Sequence, residues 1–173
     1  MACALTQGYT LAGCKDGIGG IREVYFIEKS NVSSYVKVSG VVTALTKAST
    51  KRFWKYELQR ATSTFVETIE GVPDNGTYAI NQELTIVLNR LETAVRNEII
   101  LLAKNNLYAV VKDRNGRFWL LGEQDGLDLT GGEGGPGTAG TDRSGHTLIF
   151  TGQESEFAAE VNSTVAAALE TPG

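Results

Sequence analysis

The sequence predicts a mainly β protein (α+β), a β-sandwich or barrel with one long hairpin and one flanking α-helix. Three observations predict it. Residues 78–88 alternate between apolar and polar side chains, the period of a strand with one buried and one wet face. Turn-forming pairs recur between runs of β-branched and aromatic residues, as at Ser39-Gly40, Asn75-Gly76 and Asn115-Gly116. Only one stretch, residues 91–104, carries the three-to-four-residue apolar spacing of a helix.

The chain divides into an N-terminal arm (1–20), a single β-sandwich domain (21–152) holding helix 91–104, and an acidic C-terminal tail (153–173). The arm is punctuated by Gly8, Gly13, Gly17, Gly19 and Gly20. Ile21 to Glu28 is β-branched and aromatic and reads as a strand. Tyr35–Val38 and Val41–Leu45 read as a hairpin around Ser39-Gly40, and the basic connector Lys47–Arg52 leads out of it. The organising stretch follows, from Phe53 to Lys104. Trp54, Tyr56 and Leu58 form an apolar row opposite Lys55, Glu57 and Gln59. Residues 62–69 then alternate, with Phe65 and Ile69 opposite Thr64, Val66 and Thr68. Pro73 to Gly76 makes the turn. The return strand sets Tyr78, Ile80, Gln82, Leu84, Ile86 and Leu88 on one face and Thr77, Ala79, Asn81, Glu83, Thr85, Val87 and Asn89 on the other. Tyr78 to Leu88 spans roughly 35 Å at ~3.4 Å per residue, longer than a small sheet needs. Either a neighbouring subunit covers the overhang, or the first arm bends and serves both sheets of one sandwich; the two are compatible.

Asn89 with Glu92 predicts a capping box for the helix, whose stripe is Leu91, Ala94, Val95, Leu101 and Leu102, widened by Ile99 and Ile100. Leu107–Lys112 and Arg117–Leu121 predict a hairpin around Asn115-Gly116. A short strand is expected over 126–130, a flexible loop over Gly131–Gly140 and a strand over His146–Gly152. Residues 153–173 read as a short helix over Phe157–Leu169 or an extended tail.

Composition narrows the function classes. The net charge of −4 argues against a general nucleic-acid binder, which needs a basic face. Residues 1–117 carry fifteen basic and eleven acidic side chains; residues 118–173 carry one basic, Arg143, and nine acidic. Opposite-signed regions on one chain suit head-to-tail association of copies. Cys3 and Cys14 are the only cysteines and His146 the only histidine, so no zinc set can be built. A disulfide between the two cysteines is possible, with reduced thiols the default. The first residues hold no basic segment followed by an apolar run, so no secretory signal is expected, and no apolar run approaches a membrane span.

No catalytic constellation stands out, and neither an enzyme nor a cofactor is expected. The glycine-rich run lacks the Lys-Ser/Thr of a phosphate loop and contains Glu133. Ser144 and His146 lie two apart without a nucleophile elbow. Asp125, Asp128 and Asp142 match no calcium-loop spacing. Glu67/Glu70 and Glu123/Asp125 are carboxylate pairs without further signature. Trp54, Tyr56, Phe118 and Trp119 could form an aromatic platform, but each lies in an alternating strand and reads as core.

Taken in order, a set of segments along nearly the whole chain is similar to tail structural proteins of tailed bacteriophages, of the tail-tube type. The segments are 5–10 with 19–25 (Gly-Gly-Ile-Arg-Glu-Val-Tyr), Tyr56-Glu-Leu with 65–69 (Phe-Val-Glu-Thr-Ile), and 75–78 with 83–86. They continue with 96–100 and 102–105, 108–113 and 115–122 (Asn-Gly-Arg-Phe-Trp-Leu-Leu-Gly), and end with 126–130, 141–145 and 147–152. The resemblance implies a self-assembling virion subunit. Hexameric rings would stack head to tail into a hollow tube made in the bacterial host cytoplasm, with DNA as non-specific cargo and other tail proteins as partners, and no membrane. It implies that Asn81, Glu83 and Thr85 face the channel, and that the hairpin and loops meet neighbouring subunits at Phe65, Ile69, Asp74, Asn75, Gly76, Gly131, Gly135 and Gly137. The arm and the glycine-rich loop would be ordered by the next ring. Two alternatives stand beside this: another ring protein of the tail or connector (terminator, baseplate hub), and a carbohydrate- or receptor-binding β-sandwich.

Overall fold

The computed structural model describes residues 7–11, 13 and 17–173. Cys3 and Cys14 lie outside the described residues. A seven-stranded sheet has the order β2 (Val32–Val38), β3 (Val41–Lys47), β11 (Ala159–Val161), β8 (Phe118–Leu121), β7 (Leu107–Asp113), β1 (Ile21–Glu28), β4 (Trp54–Glu57). A four-stranded sheet has the order β5 (Thr64–Val72), β6 (Thr77–Asn89), β10 (Gly145–Glu154), β9 (Asp128–Gly135). Neighbouring strands are antiparallel, except β11, which runs parallel to β3. The fold is mainly β with a flanking helix, α1 (Thr93–Lys104), and a short second helix, α2 (Ser163–Ala167).

Period-two geometry gives the large sheet two cores. Val24 and Phe26 of β1, and Ala109 and Val111 of β7, meet Leu84, Ile86, Leu148 and Phe150 of the small sheet. Their neighbours Tyr25, Ile27, Tyr108 and Val110 point the other way, into a second core with Val42, Phe53, Val161 and Leu169. Strands buried on both faces read as continuous apolar runs, which is what Val24–Ile27 and Leu107–Val111 are.

The chain from Phe53 onward bends between the two sheets. It leaves the large sheet after Glu57, where the Leu58 N–H bonds the Arg22 carbonyl at 3.0 Å, and joins the small sheet at Thr64. Residues 59–63 lack a large apolar side chain, and Ala61 takes the left-handed conformation (φ 58°). The hairpin that follows is paired from Thr64↔Thr85 to Val72↔Thr77 and closes through a 3-10 turn, Pro73–Asn75, with Gly76 at φ 63°.

Three expectations are corrected. The helix starts at Thr93, not at residue 91, and forms no capping box. Asn89 is the last residue of β6, paired with Gly145, and its amide donates to Gln59; Arg90 sits at φ 80°. The helix buries only Leu102, and Ile100 and Leu101 stand exposed. Gly131–Gly135, expected as flexible loop, is part of β9 and pairs with β10 from Gly145↔Gly135 to Ile149↔Gly131. Close approach explains two of the glycines: a Cβ on Gly134 would lie 2.2 Å from the His146 ring, and one on Gly132 2.8 Å from the Thr147 carbonyl. Residues 153–173, expected as an acidic tail that is extended or holds a short helix over Phe157–Leu169, do hold the short helix α2 but are no tail: they supply β11 to the large sheet and Leu169 (1% exposed) to its second core. The apolar residues Ala159, Val161, Ala166 and Leu169 are what hold it there. The described arm residues 7–11, 13 and 17–20 form no helix or strand and are exposed. No helix among the described residues is long and apolar enough to cross a membrane.

Candidate assembly surfaces

The outer face of the small sheet is set by the alternation in β6. Ile80, Gln82, Leu84 and Ile86 are buried, so Asn81, Glu83 and Thr85 lie together on the opposite face, Glu83 exposed and the other two half-buried. The strand register extends that face into rows: Thr64–Thr85–Ile149, Val66–Glu83–Thr151 and Thr68–Asn81–Gln153. The Gln153 amide donates to Asn81 Oδ1 at 3.0 Å, and Thr151 shares a hydrogen bond with Thr130 at 3.0 Å. The four strands of this sheet contain Glu67, Glu70, Glu83, Asp128, Glu133 and Glu154 but no lysine or arginine. The chain has sixteen such cations, none within these strands, and the Arg143 guanidinium donates to Thr147 Oγ1 at 2.7 Å on the outward side of β10.

Among the described residues, both edges of the same sheet are open. β5 is one edge and β9 the other. Neither contains proline or lysine, which commonly blunt an edge. With four alternating strands, β5 and β9 run in opposite directions. Rotation about an axis along the strands therefore brings β9 of one copy antiparallel to β5 of the next.

The hairpin tip projects past the body. Thr68 to Tyr78 is exposed throughout, including Ile69 (60%), Val72 and Tyr78, with Asp74, Asn75 and Gly76 at the end. Phe65 is different. It pairs with Leu84 on the inner face and packs against the inter-sheet core, which removes it from the contact residues expected of the hairpin. Gly131 and Gly135 lie on the β9 edge. Gly137 follows at φ 76°, where a Cβ would lie 2.4 Å from Asp142 Cβ.

Sequence reasoning missed a polar layer beneath the hairpin. Gln82, 2% exposed, accepts from the Gly122 N–H at 2.9 Å and donates to Glu67 Oε1 at 3.0 Å; Glu67 also accepts from the Ala158 N–H at 2.6 Å. Glu154 accepts from the N–H groups of Gln124 and Asp125 at 2.8 and 3.1 Å, and burial raises its pKa against those donors. Glu123 accepts from the Tyr35 hydroxyl at 2.9 Å and pairs with Lys37 at 2.6 Å. These carboxylates fasten the turn at residues 122–126, where the chain crosses between sheets. Gln82, the one polar residue in an apolar row, was the visible signal.

Along α1 lies an apolar groove of about 530 Å³, lined by Tyr56, Leu58, Val87, Leu88, Val95 and Ile99. A second space of about 200 Å³ lies beside Phe26, Trp54, Leu101 and Leu102. Tyr56 donates to Glu98 Oε1 at 3.2 Å; burial, then that carboxylate, raises the phenol pKa. Trp54, expected in the core, is 52% exposed with the Arg52 guanidinium 4.3 Å from its ring center. β4 is an edge strand, so one side of the ring has no strand beside it. The four aromatics do not form one platform: Trp119 packs on the inter-sheet core and Phe118 on the second core.

The remaining candidates separate in space. Asp125 lies at the turn beside Glu154, whereas Asp142 caps its own loop, accepting from the Thr138 and Ala139 N–H groups at 2.8 and 2.7 Å. Those bonds hold its carboxyl below the usual range. Glu67 points inward and Glu70 outward. Among the described residues, no three His, Cys, Asp or Glu side chains converge on a metal-sized site, and no hydrogen bond joins Ser144 to His146. No family model matches the chain, and no curated protein or solved structure shows significant similarity to it.

Proposed function

We propose that this chain is the self-assembling subunit of a bacteriophage tail tube. Copies join side by side into hexameric rings, and the rings stack into a channel for DNA in the virion tail. The observation that carries this is the charge of the small sheet: a polar outer face with carboxylates, on four strands without one lysine or arginine. Such a wall repels phosphates and passes DNA without holding it. The two open, oppositely directed edges support the ring. Pairing β5 with a neighbour's β9 would continue the small sheet around the axis and leave no free edge. Asn81, Glu83 and Thr85 then line the channel.

The experiment is negative-stain electron microscopy of the purified chain with its mass measured by light scattering. Hollow tubes or stacked rings support the proposal. Single rings that never stack move the assignment to a terminator, connector or baseplate ring. The exposure of Trp54 favors a second reading, a carbohydrate- or receptor-binding module. A monomeric chain whose Trp54 fluorescence is quenched by a glycan would establish that one instead.

A further inference from the structure

We propose that copies of this chain stack end to end through charge, the arginine-bearing end of one copy seating on the carboxylate-bearing end of the next. This rests on the tube reading above and names its stacking contact. The register brings five segments to one end of the sandwich. The Arg114 N–H bonds the Gly20 carbonyl, the Leu58 N–H bonds the Arg22 carbonyl, and the Arg90 N–H bonds the Ser144 carbonyl. Asn89 pairs with Gly145 and bonds Gln59. That end carries Arg22, Arg60, Arg90, Arg114, Arg117 and Arg143.

Of the described carboxylates near them, Glu23 pairs with Lys55 and Lys112, Glu57 pairs with Lys55, Glu133 stands exposed on β9, and two are occupied by their own loops. Asp113 accepts from the Arg117 N–H at 2.8 Å and the Trp119 indole at 3.2 Å; Asp142 caps residues 138 and 139. Glu92 pairs with Arg90 at 3.5 Å. Among the described residues the other five arginines make no ion pair.

The opposite end, formed by the hairpin tip and the turns at 122–128 and 154–158, exposes Glu70, Asp74, Asp125, Asp128 and Glu156. One of its lysines, Lys37, is already held between Glu123 and Glu156 at 2.6 Å each. β6 runs from the hairpin turn to Asn89 at the arginine end, so at ~3.4 Å per residue the hairpin tip stands roughly 40 Å and Asp128, level with Glu83, roughly 20 Å from that end. Both distances exceed the ~8 Å screening length at physiological salt, so the two charges largely do not neutralise each other within one copy. A second copy placed along the strand axis supplies the complement. The ring edges lie across that axis, so ring closure and stacking use different surfaces, as a heterologous contact requires.

The test follows tubes of the full chain by electron microscopy and light scattering from about 0.01 M to about 1 M NaCl, over which the screening length falls from ~30 Å to ~3 Å. Tube mass is expected to fall about tenfold or more, leaving rings. Arg114→Glu/Arg117→Glu is expected to give rings without tubes at low salt, and Arg114→Lys/Arg117→Lys, which keeps the charge, to stack. Circular dichroism checks that both variants fold. Tubes that survive high salt and the charge reversal overturn this inference and leave the tube reading standing. A chain that forms neither rings nor tubes at low salt overturns both. A chain that stays unstacked but retards duplex DNA in a gel overturns it in favor of a nucleic-acid contact at the arginine end.

Discussion

Gln82→Leu tests which way β6 faces, and the channel assignment depends on that phase. Leucine fills a similar volume but offers no hydrogen bond. The substitution leaves the buried Gly122 N–H without its acceptor and takes one of two donors from Glu67. An orphaned buried N–H costs ~1–3 kcal/mol, and a hydrogen bond to a carboxylate contributes ~1.5–3 kcal/mol. The added apolar burial offsets about 1–2 kcal/mol. The expected net loss is about 3 kcal/mol, which for a chain of this size lowers Tm by roughly 6–12 °C. The control is Glu83→Leu, one residue along and pointing outward, expected to change stability by no more than about 0.5 kcal/mol. Urea unfolding followed by far-UV circular dichroism reads both. If Gln82→Leu is as stable as the wild type, or if Glu83→Leu costs more, the phase is inverted, and Asn81, Glu83 and Thr85 cannot line a channel.

Three further outcomes are expected. Leu169→Ala removes a side chain that is 1% exposed in the second core and should cost ~2–5 kcal/mol in the same assay; a dispensable tail would show no loss. Gly145→Ala would set a Cβ 2.2 Å from the Leu88 carbonyl oxygen and 3.0 Å from the Asn89 Cα, so the start of β10 must shift; a loss of about 2 kcal/mol or more is expected, read as a lowered Tm. In alkali, burial and then the Glu123 hydrogen bond push Tyr35 up to about 12, and burial first, with nearby carboxylates, raises Tyr25, Tyr56 and Tyr108. The unfolded chain sheds these protons from its ordinary value of 10.0 while the fold retains them. Stability should be full below that pH and fall as pH rises toward about 12. In a Tyr9→Phe/Tyr78→Phe variant, which leaves only these four tyrosines, phenolate absorbance should rise only as the protein unfolds; absorbance that rises near pH 10 with the fold intact would contradict the buried environments.

The sequence by itself determined the elements whose information is local. Alternation in residues 78–88 gave β6 its buried and wet faces, because successive side chains on a strand point to opposite sides whatever it pairs with. Pro73–Gly76 and Asn115-Gly116 placed two hairpins, because those residues supply the backbone angles that the turns require. Only the tertiary structure decided what depends on distant partners. Asn89 and Glu92 spell a helix cap, but β10 claims Asn89 as a strand residue, so the helix begins later. Five residues of glycine-rich sequence read as loop until β10 offers an edge to pair with, approached too closely at Gly132 and Gly134 for a side chain. An acidic, alanine-rich end reads as a tail until the large sheet leaves a slot between β3 and β8 for β11. Charge followed the same division: composition showed opposite signs in two stretches of sequence, while the register gathered six of the arginines at one end of the strands and Glu70, Asp74, Asp125, Asp128 and Glu156 at the other.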